Sequence, residues 1–246
     1  MLQGIYTAAA GMLAHDAMAE VIANNLANAS TPGFRQDYAT FHMAAERATG
    51  DERTALSPML TFRAYTNFDL GRIQRTDKDF DLALEDNGEN FFVVDTLRGE
   101  RYTRAGNFAL DSNGNLVTAD RLPVLGMNGP IRITGRDLNI TRDGQVFVDG
   151  EFVDRLRIVT FDKINGRIPL QKEGYSLFAP ISERSVSHET AHVSVRQGFL
   201  EGSNVTLMRQ MAQLIHIVRG FEAYQRAILV SDASLNMLIQ RVGGGN

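Results

Sequence analysis

Ser203-Asn204-Val205-Thr206-Leu207-Met208-Arg209-Gln210-Met211-Ala212-Gln213-Leu214 opens a segment that runs to Val242 and decides the fold. Within it Leu207, Met211, Leu214, Val218, Phe221, Ile228, Leu235, Ile239 and Val242 recur at steps of four and three, with Gln225 and Asp232 interrupting two seam positions. Such steps average 3.5 residues and place the side chains in one narrow stripe along a helix. At ~1.5 Å per residue this helix reaches ~55–60 Å, more than a domain of this size needs. Such a stripe requires a second surface to cover it.

The opposite end of the chain supplies a candidate. Met1, Ile5, Ala8, Met12, His15, Ala19, Ile22 and Leu26 keep the same rhythm. Asp16 and Glu20 are the only charges before Ser30, whereas Arg209, Arg219, Arg226 and Arg241 face only Glu222 and Asp232 beyond Ser203. The two stripes are expected to pack on each other, or on copies in other subunits. Gly4 and Gly11 each cost the first helix about 1 kcal/mol relative to alanine. Ala8, His15 and Ala19 make its seam thin. The segment is therefore expected to order on contact with partners. It should stop near Asn28, where Asn28-Ala29-Ser30-Thr31-Pro32-Gly33 gathers turn residues.

Between the ends the period changes. Tyr38 to Phe68 reads as a linker, with a polar run of Glu46, Arg47, Asp51, Glu52 and Arg53 around Gly50. From Asp69 the apolar residues alternate or form short runs: Phe80-Leu82-Leu84, Phe91-Phe92-Val93-Val94, Tyr102-Thr103-Arg104, Phe108-Ala109-Leu110 and Leu116-Val117. Ile131-Arg132-Ile133, Leu138-Asn139-Ile140, Val146-Phe147-Val148, Leu156-Arg157-Ile158 and Val193-Ser194-Val195 continue the pattern. Turn dipeptides separate them at Asn113-Gly114, Asn128-Gly129, Asp143-Gly144, Asp149-Gly150 and Asn165-Gly166. The expected class is α+β, with N- and C-terminal coiled-coil-forming helices flanking an inserted all-β domain. The expected segments are 1–35 (N-terminal helix), 36–69 (linker or extended), 70–200 (β-rich) and 201–246 (C-terminal helix).

Composition narrows the function. The net charge of −4 over 246 residues gives no basic field for nucleic acid. No apolar run of 18 residues reads as a membrane helix, and the N-terminus lacks the basic and apolar regions of a cleavable signal. The chain has no cysteine, which suits a protein exported by another route.

Three blocks carry a family resemblance. Val21-Ile22-Ala23-Asn24-Asn25-Leu26-Ala27-Asn28, followed by Thr31-Pro32-Gly33-Phe34-Arg35, is similar to the N-terminal signature of the flagellar axial proteins. Arg101-Tyr102-Thr103-Arg104-Ala105-Gly106-Asn107-Phe108, Asp111-Ser112-Asn113-Gly114-Asn115-Leu116-Val117 and Leu122-Pro123-Val124-Leu125-Gly126 resemble the middle stretch of the rod and hook proteins. Leu200-Glu201-Gly202-Ser203-Asn204-Val205, with Arg219-Gly220-Phe221-Glu222 beyond, resembles their C-terminal signature. The chain departs from the family where Asp79-Phe80-Asp81 replaces a proline-leucine-aspartate. A second departure is Asp86-Asn87-Gly88-Glu89-Asn90 in place of a glycine-aspartate-glycine turn.

The resemblance implies a structural subunit of the flagellar basal-body rod, the drive shaft crossing the periplasm, exported by the flagellar type III apparatus. It implies partners among other rod subunits, copies of the same chain and the export apparatus. No enzyme activity, cofactor, nucleic acid or small-molecule substrate is implied. Within the family the wording favours a proximal rod subunit, a distal rod or hook subunit being the alternative. The expected assembly residues are Ile5, Met12, Ile22, Asn24, Asn25, Leu26 and Asn28, with Leu207, Met211, Leu214, Val218, Phe221, Ile228 and Leu235 in the C-terminal stripe.

One motif argues for a different class. His188-Glu189-Thr190-Ala191-His192 fits the H-E-x-x-H of zinc peptidases, with Glu201 or Glu222 as third ligand. That motif needs a helix, and its flanks alternate like strands. On a strand, residues four apart lie ~13 Å from each other and cannot share one zinc. Asp111-x-Asn113-Gly114-Asn115 lacks the glycine position and terminal glutamate of a calcium loop and reads as a turn. His15 reads as an interfacial residue.

Overall fold

Two long helices begin and end the described chain, α1 at Leu2–Ala27 and α2 at Leu207–Gly243. The computed structural model describes residues 2–44, 59–164, 166–174, 176–182, 185, 187–190 and 194–243. Side chains at 2–6, 42–44, 59–61, 235, 236, 238, 239 and 241–243 are not described. The polar run at 46–53, His192, and the side chains of Ile5 and Leu235 therefore fall outside the description. The chain divides into two compact units. One comprises Met1–Ala27, Asp37–Tyr65 and Thr206–Asn246; the other comprises Asn28–Gln36 and Thr66–Val205.

In the helical unit α1 and α2 pack side by side. Asn25 reaches Gln210, and Gly11 lies against the Tyr224 ring, so a step of 14 down one helix matches a step of 14 up the other. The pair is antiparallel. Ala8 and Ile22 are buried, and Met12, His15, Ala19 and Leu26 are half-buried, as the N-terminal stripe predicts. On α2 the covered line is Gln210, Leu214, Ile217, Phe221, Tyr224, Ile228 and Ser231. The 4-3 period is the expected one, but the covered face is rotated. Leu214, Phe221 and Ile228 face α1, while Leu207, Met211 and Val218 stay about half exposed. The rotation accounts for Gln225 and Asp232 in the predicted stripe, because Tyr224 and Ser231 take those seam places. α1 ends where the sequence indicates, and Thr31 N–H donates to the Asn28 carbonyl in the turn that follows.

The expected linker is partly strand. Asp37–Ala44 and Met59–Thr66 form a two-stranded sheet. Phe41 lies 5.5 Å from Phe62 between ring centroids, and Thr40 Oγ1 donates to the Arg63 carbonyl at 3.3 Å. Aromatic and β-branched residues favour pleated pairing here, and the polar run between the strands hid that signal.

The other unit is built on a six-stranded antiparallel sheet. Its order is Leu170–Lys172, Leu177–Pro180, Gly99–Thr103, Asn90–Thr96, Ile158–Phe161 and Ser187–Glu189. Asn90–Thr96 is central, and both its faces are covered. Phe91 and Val93 join a core with Tyr102, Val159, Phe161 and Phe178, whereas Phe92 and Val94 join a larger one with Leu82, Leu116, Val124, Ile131 and Val146. A continuous apolar run is what a strand buried on both faces requires. Turn signals among the described residues also work as expected. Asp149 and Gly150 both take positive φ, 52° and 85°, and form a two-residue hairpin loop closing Val148 onto Glu151. Ile131-Arg132-Ile133 is the exception. Its two isoleucines are buried, but among the described residues it forms a single isolated bridge, Arg132 to Asn115, and no strand.

Candidate functional site

The three blocks singled out in the sequence meet at one buried cluster in the β-rich unit. Arg35 arrives from the turn after Pro32, Arg104 from the end of strand Gly99–Thr103, and Glu201 from strand Phe199–Glu201. That last strand pairs with Ile73–Arg75. All three side chains are buried. Arg35 Nη1 donates to Glu201 Oε1 at 2.6 Å. Arg104 donates to Glu201 Oε2 from Nε at 2.9 Å and lies 2.8 Å away through Nη2. The Gly71 amide donates to Glu201 Oε1 at 2.8 Å. Asp86 takes the other side of Arg104, at 2.8 Å from Nη2 and 2.9 Å from Nη1, and Arg104 also donates to the carbonyls of Asn90 and Leu84.

Two arginines and two carboxylates make the cluster formally neutral. Isolated buried charges cost several kcal/mol each, so they persist only as hydrogen-bonded partners. Burial pulls the Arg35 guanidinium below its usual value, Glu201 offsets this, and Arg104 adds to it. The backbone closes on the same place. Gly33 N–H donates to the Glu201 carbonyl at 2.8 Å. Gly33 has φ +67°, and a Cβ there would stand 2.3 Å from the Ala105 nitrogen. Asn204 completes the junction by accepting from the Gln36 amide at 2.7 Å and donating to the carbonyls of Asn67 and Asp69. Asp86 also accepts from the Gly88 and Asn90 amides, which forms the turn where the chain departs from the family wording.

The helical unit has its own polar anchor. Asn25 is buried and holds the Asp37 backbone from both sides: Nδ2 donates to its carbonyl at 2.8 Å, and Oδ1 accepts from its amide at 2.9 Å. Asn25 Nδ2 also reaches Gln210 Oε1 at 3.4 Å. Further along, His15 packs edge-on against Tyr224 at 5.2 Å, and a Cβ on Gly220 would meet His15 Nε2 at 2.4 Å. Gly11 and Gly220 thus let the helices approach, a reason for Gly11 that helix propensity alone misses. His15 is interfacial within the chain.

The expected assembly residues divide accordingly. Asn25 and Ile22 are buried; Met12, Leu26, Asn28, Leu214, Phe221 and Ile228 are half-buried; and Asn24, Leu207, Met211 and Val218 are exposed. Met208 and Ile215, which the sequence stripe omitted, are 78% and 55% exposed and extend the open apolar row of α2. Also missed were the buried charges Arg35, Arg104, Glu201 and Asp86. Their types were visible within the motifs, but a lone charged residue in a short motif carries no sign of burial.

The H-E-x-x-H stretch is not helical where it is described. Ser187–Glu189 is a strand paired with Ile158–Phe161, and His188 Nε2 lies 3.0 Å from Asp162 Oδ2 on the surface. Glu201, the suggested third ligand, is committed to two arginines. Asp111 acts within a turn, its Oδ1 accepting from the amides of Asn113 and Asn115.

The two terminal helices share one unit, and one residue from each of the three sequence blocks, Arg35, Arg104 and Glu201, meets the others in the β-rich unit. Residues 5–35 match the family described as flagella basal body rod protein, 87–148 the flagellar hook protein FlgE/F/G D1 domain, and 196–241 the C-terminal region of flagellar basal body rod FlgEFG proteins. The chain is 32% identical to the flagellar basal-body rod protein FlgG of Bacillus subtilis, over 97% of this chain and 98% of that protein. It is 30% identical to the flagellar basal-body rod protein FlgF of Rhizobium meliloti, over 99% of both. The chain therefore belongs to the flagellar basal-body rod protein family. It is a structural component of the basal body, assembling with other parts of the rod and hook-basal body complex.

Proposed function

We propose that this chain is a rod subunit that polymerises through α1 and α2 after export by the flagellar type III apparatus, contacting copies of itself and other rod subunits where the rod crosses the periplasm. The observation that carries this reading is the row Leu207, Met211, Ile215 and Val218 on α2, each about half exposed beside a face already covered by α1. Apolar surface of that extent on a helix is an assembly surface. The thin α1 side of the seam (Ala8, Gly11, His15 and Ala19) supports ordering that is completed by neighbours. Within the family the proximal, FlgF-type subunit is favoured over the FlgG type. The alignment with the Rhizobium FlgF runs over 248 positions for this 246-residue chain, whereas that with the Bacillus FlgG needs 269.

The test is complementation of a strain lacking this subunit. Leu214 and Phe221 face α1, so aspartate there would damage the helix pair itself. Met211→Asp with Val218→Asp alters only the open row. This double variant is expected to be exported, yet absent from isolated basal bodies and non-motile. Normal swimming would refute the assembly role of the row.

A further inference from the structure

The open row on α2 carries sulfur. Met208 and Met211, three residues apart and so neighbours on the helix surface, are 78% and 48% exposed, and Ile215 and Val218 continue the row. The chain has nine methionines and no cysteine, so thioethers are the only sulfur it offers to an oxidant. Their surroundings differ. Met12 and Met18 on α1 are half-buried. Met237, far along α2, is exposed, and so is Met127 in the turn between Leu125–Gly126 and Gly129–Pro130 of the β-rich unit. Met208 is the most exposed of the described methionines, and it extends the surface proposed for assembly.

From this we infer that Met208 and Met211 are a reversible oxidation site, at which peroxide converts the thioethers to sulfoxides and withdraws the unassembled subunit from incorporation. This rests on the proposed assembly role and adds its regulation. Each step is a two-electron oxygen transfer. The Sδ lone pair attacks one peroxide oxygen, an S–O bond forms as the O–O bond breaks, and the departing hydroxide takes up a proton and leaves as water. A flexible apolar side chain becomes a polar one. In the free chain both side chains already face solvent, so the α1–α2 pair keeps its contacts and the loss falls on whatever contact would bury the row. Forfeiting the burial of one methionine side chain weakens association by about tenfold, and of two by about a hundredfold. Methionine sulfoxide reductases return the thioether, so the subunit is recoverable. Once a neighbour covers the row the sulfurs are shielded, and assembled subunits are spared.

Purified full-length protein treated with hydrogen peroxide and mapped by mass spectrometry gives the reactivity of each sulfur. Met208 and Met211 are expected to oxidise about fivefold faster than the half-buried Met12 and Met18, with far-ultraviolet circular dichroism unchanged. In the complemented strain, Met208→Gln with Met211→Gln imitates the two sulfoxides, and its incorporation into basal bodies is expected to fall by about tenfold or more. Met208→Leu with Met211→Leu keeps the row apolar but removes its sulfur, and it is judged by ratio. Its incorporation with and without peroxide during rod growth should agree within about twofold, whereas the unaltered subunit and Met127→Leu should both fall by about tenfold under the same treatment. Equal oxidation of exposed and half-buried methionines, normal incorporation of the glutamine pair, or equal peroxide sensitivity of the leucine pair and the unaltered subunit would overturn the inference. Normal swimming of the Met211→Asp, Val218→Asp variant would instead remove the assembly role on which it rests.

Discussion

Replacing Glu201 by glutamine tests the buried cluster most directly. The carboxylate accepts from Arg35 at 2.6 Å, from Arg104 at 2.9 Å and from the Gly71 amide at 2.8 Å. Glutamine keeps the shape but removes the charge that two buried guanidinium groups share. Asp86 contacts Arg104 directly and acts on Arg35 only as a weaker, through-space charge. Breaking a buried ion pair by removing one partner costs about 3–5 kcal/mol, against about 5–15 kcal/mol for a whole domain. Arg35→Met should behave differently. Arg35 Nε and Nη2 have no hydrogen-bond partner among the described residues, and its loss leaves Glu201 still paired with Arg104. The expected cost is about 1 kcal/mol, since removing an imperfectly satisfied buried charge recovers desolvation energy. The chain has no tryptophan, so urea unfolding is followed by near-ultraviolet circular dichroism of buried tyrosine, Tyr102 foremost. In thermal scans the Glu201→Gln loss corresponds to a fall on the order of 10 °C for a unit of this size. If Arg35→Met destabilises more than Glu201→Gln, or Glu201→Gln costs under about 1 kcal/mol, the carboxylate is not the hub of the cluster and the reasoning fails.

Two further outcomes are expected. Gly33→Ala places a Cβ 2.3 Å from the Ala105 nitrogen at φ +67°. The left-handed conformation alone costs about 1–2 kcal/mol, and the backbone clash adds to it, so a fall in stability below about 0.5 kcal/mol in the same urea assay would count against the close approach. Hydrogen bonds from Arg101 first, then Arg98, hold the Glu173 carboxyl down at about 2. Its stabilising contribution is therefore complete above the ordinary carboxylate value and lost as pH falls from there through about 2. An NMR titration of the Glu173 side chain should show that midpoint, and Arg101→Gln should move it upward. A midpoint already in the usual glutamate range in the unaltered chain would contradict the pairing.

Much of this architecture was legible because the signals are periodic. The change from a 3.5-residue to a 2-residue repeat separated helices from strands, and Phe91-Phe92-Val93-Val94 announced a strand buried on both faces. Asp149-Gly150 announced its hairpin. What periodicity cannot report is which partner covers a face. The Arg35, Arg104 and Glu201 cluster depends on three segments converging from distant parts of the chain, and nothing near any one of them marks it as buried. Gly11 was a similar case. By propensity it only weakens α1, yet the Tyr224 ring, within 2.7 Å of where its Cβ would stand, requires its absence.

The rotated register on α2 has a physical origin of its own. A helix with one buried face yields a single stripe whose centre is the contact line. On α2 the apolar residues span two adjacent faces: one through Leu214, Ile217, Phe221 and Ile228, covered by α1, and one through Met208, Met211, Ile215 and Val218, left open. Sequence spacing averages the two and returns a line between them, which is why the expected stripe takes Leu214, Phe221 and Ile228 from one face and Leu207, Met211 and Val218 from the other. Exposed methionine and isoleucine contribute little to an intrachain core, and a contiguous row of them is the feature on which the proposed assembly role rests. Among the described residues the apolar surface of α2 thus exceeds what α1 covers, and the proposed assembly role assigns the excess to a neighbouring subunit.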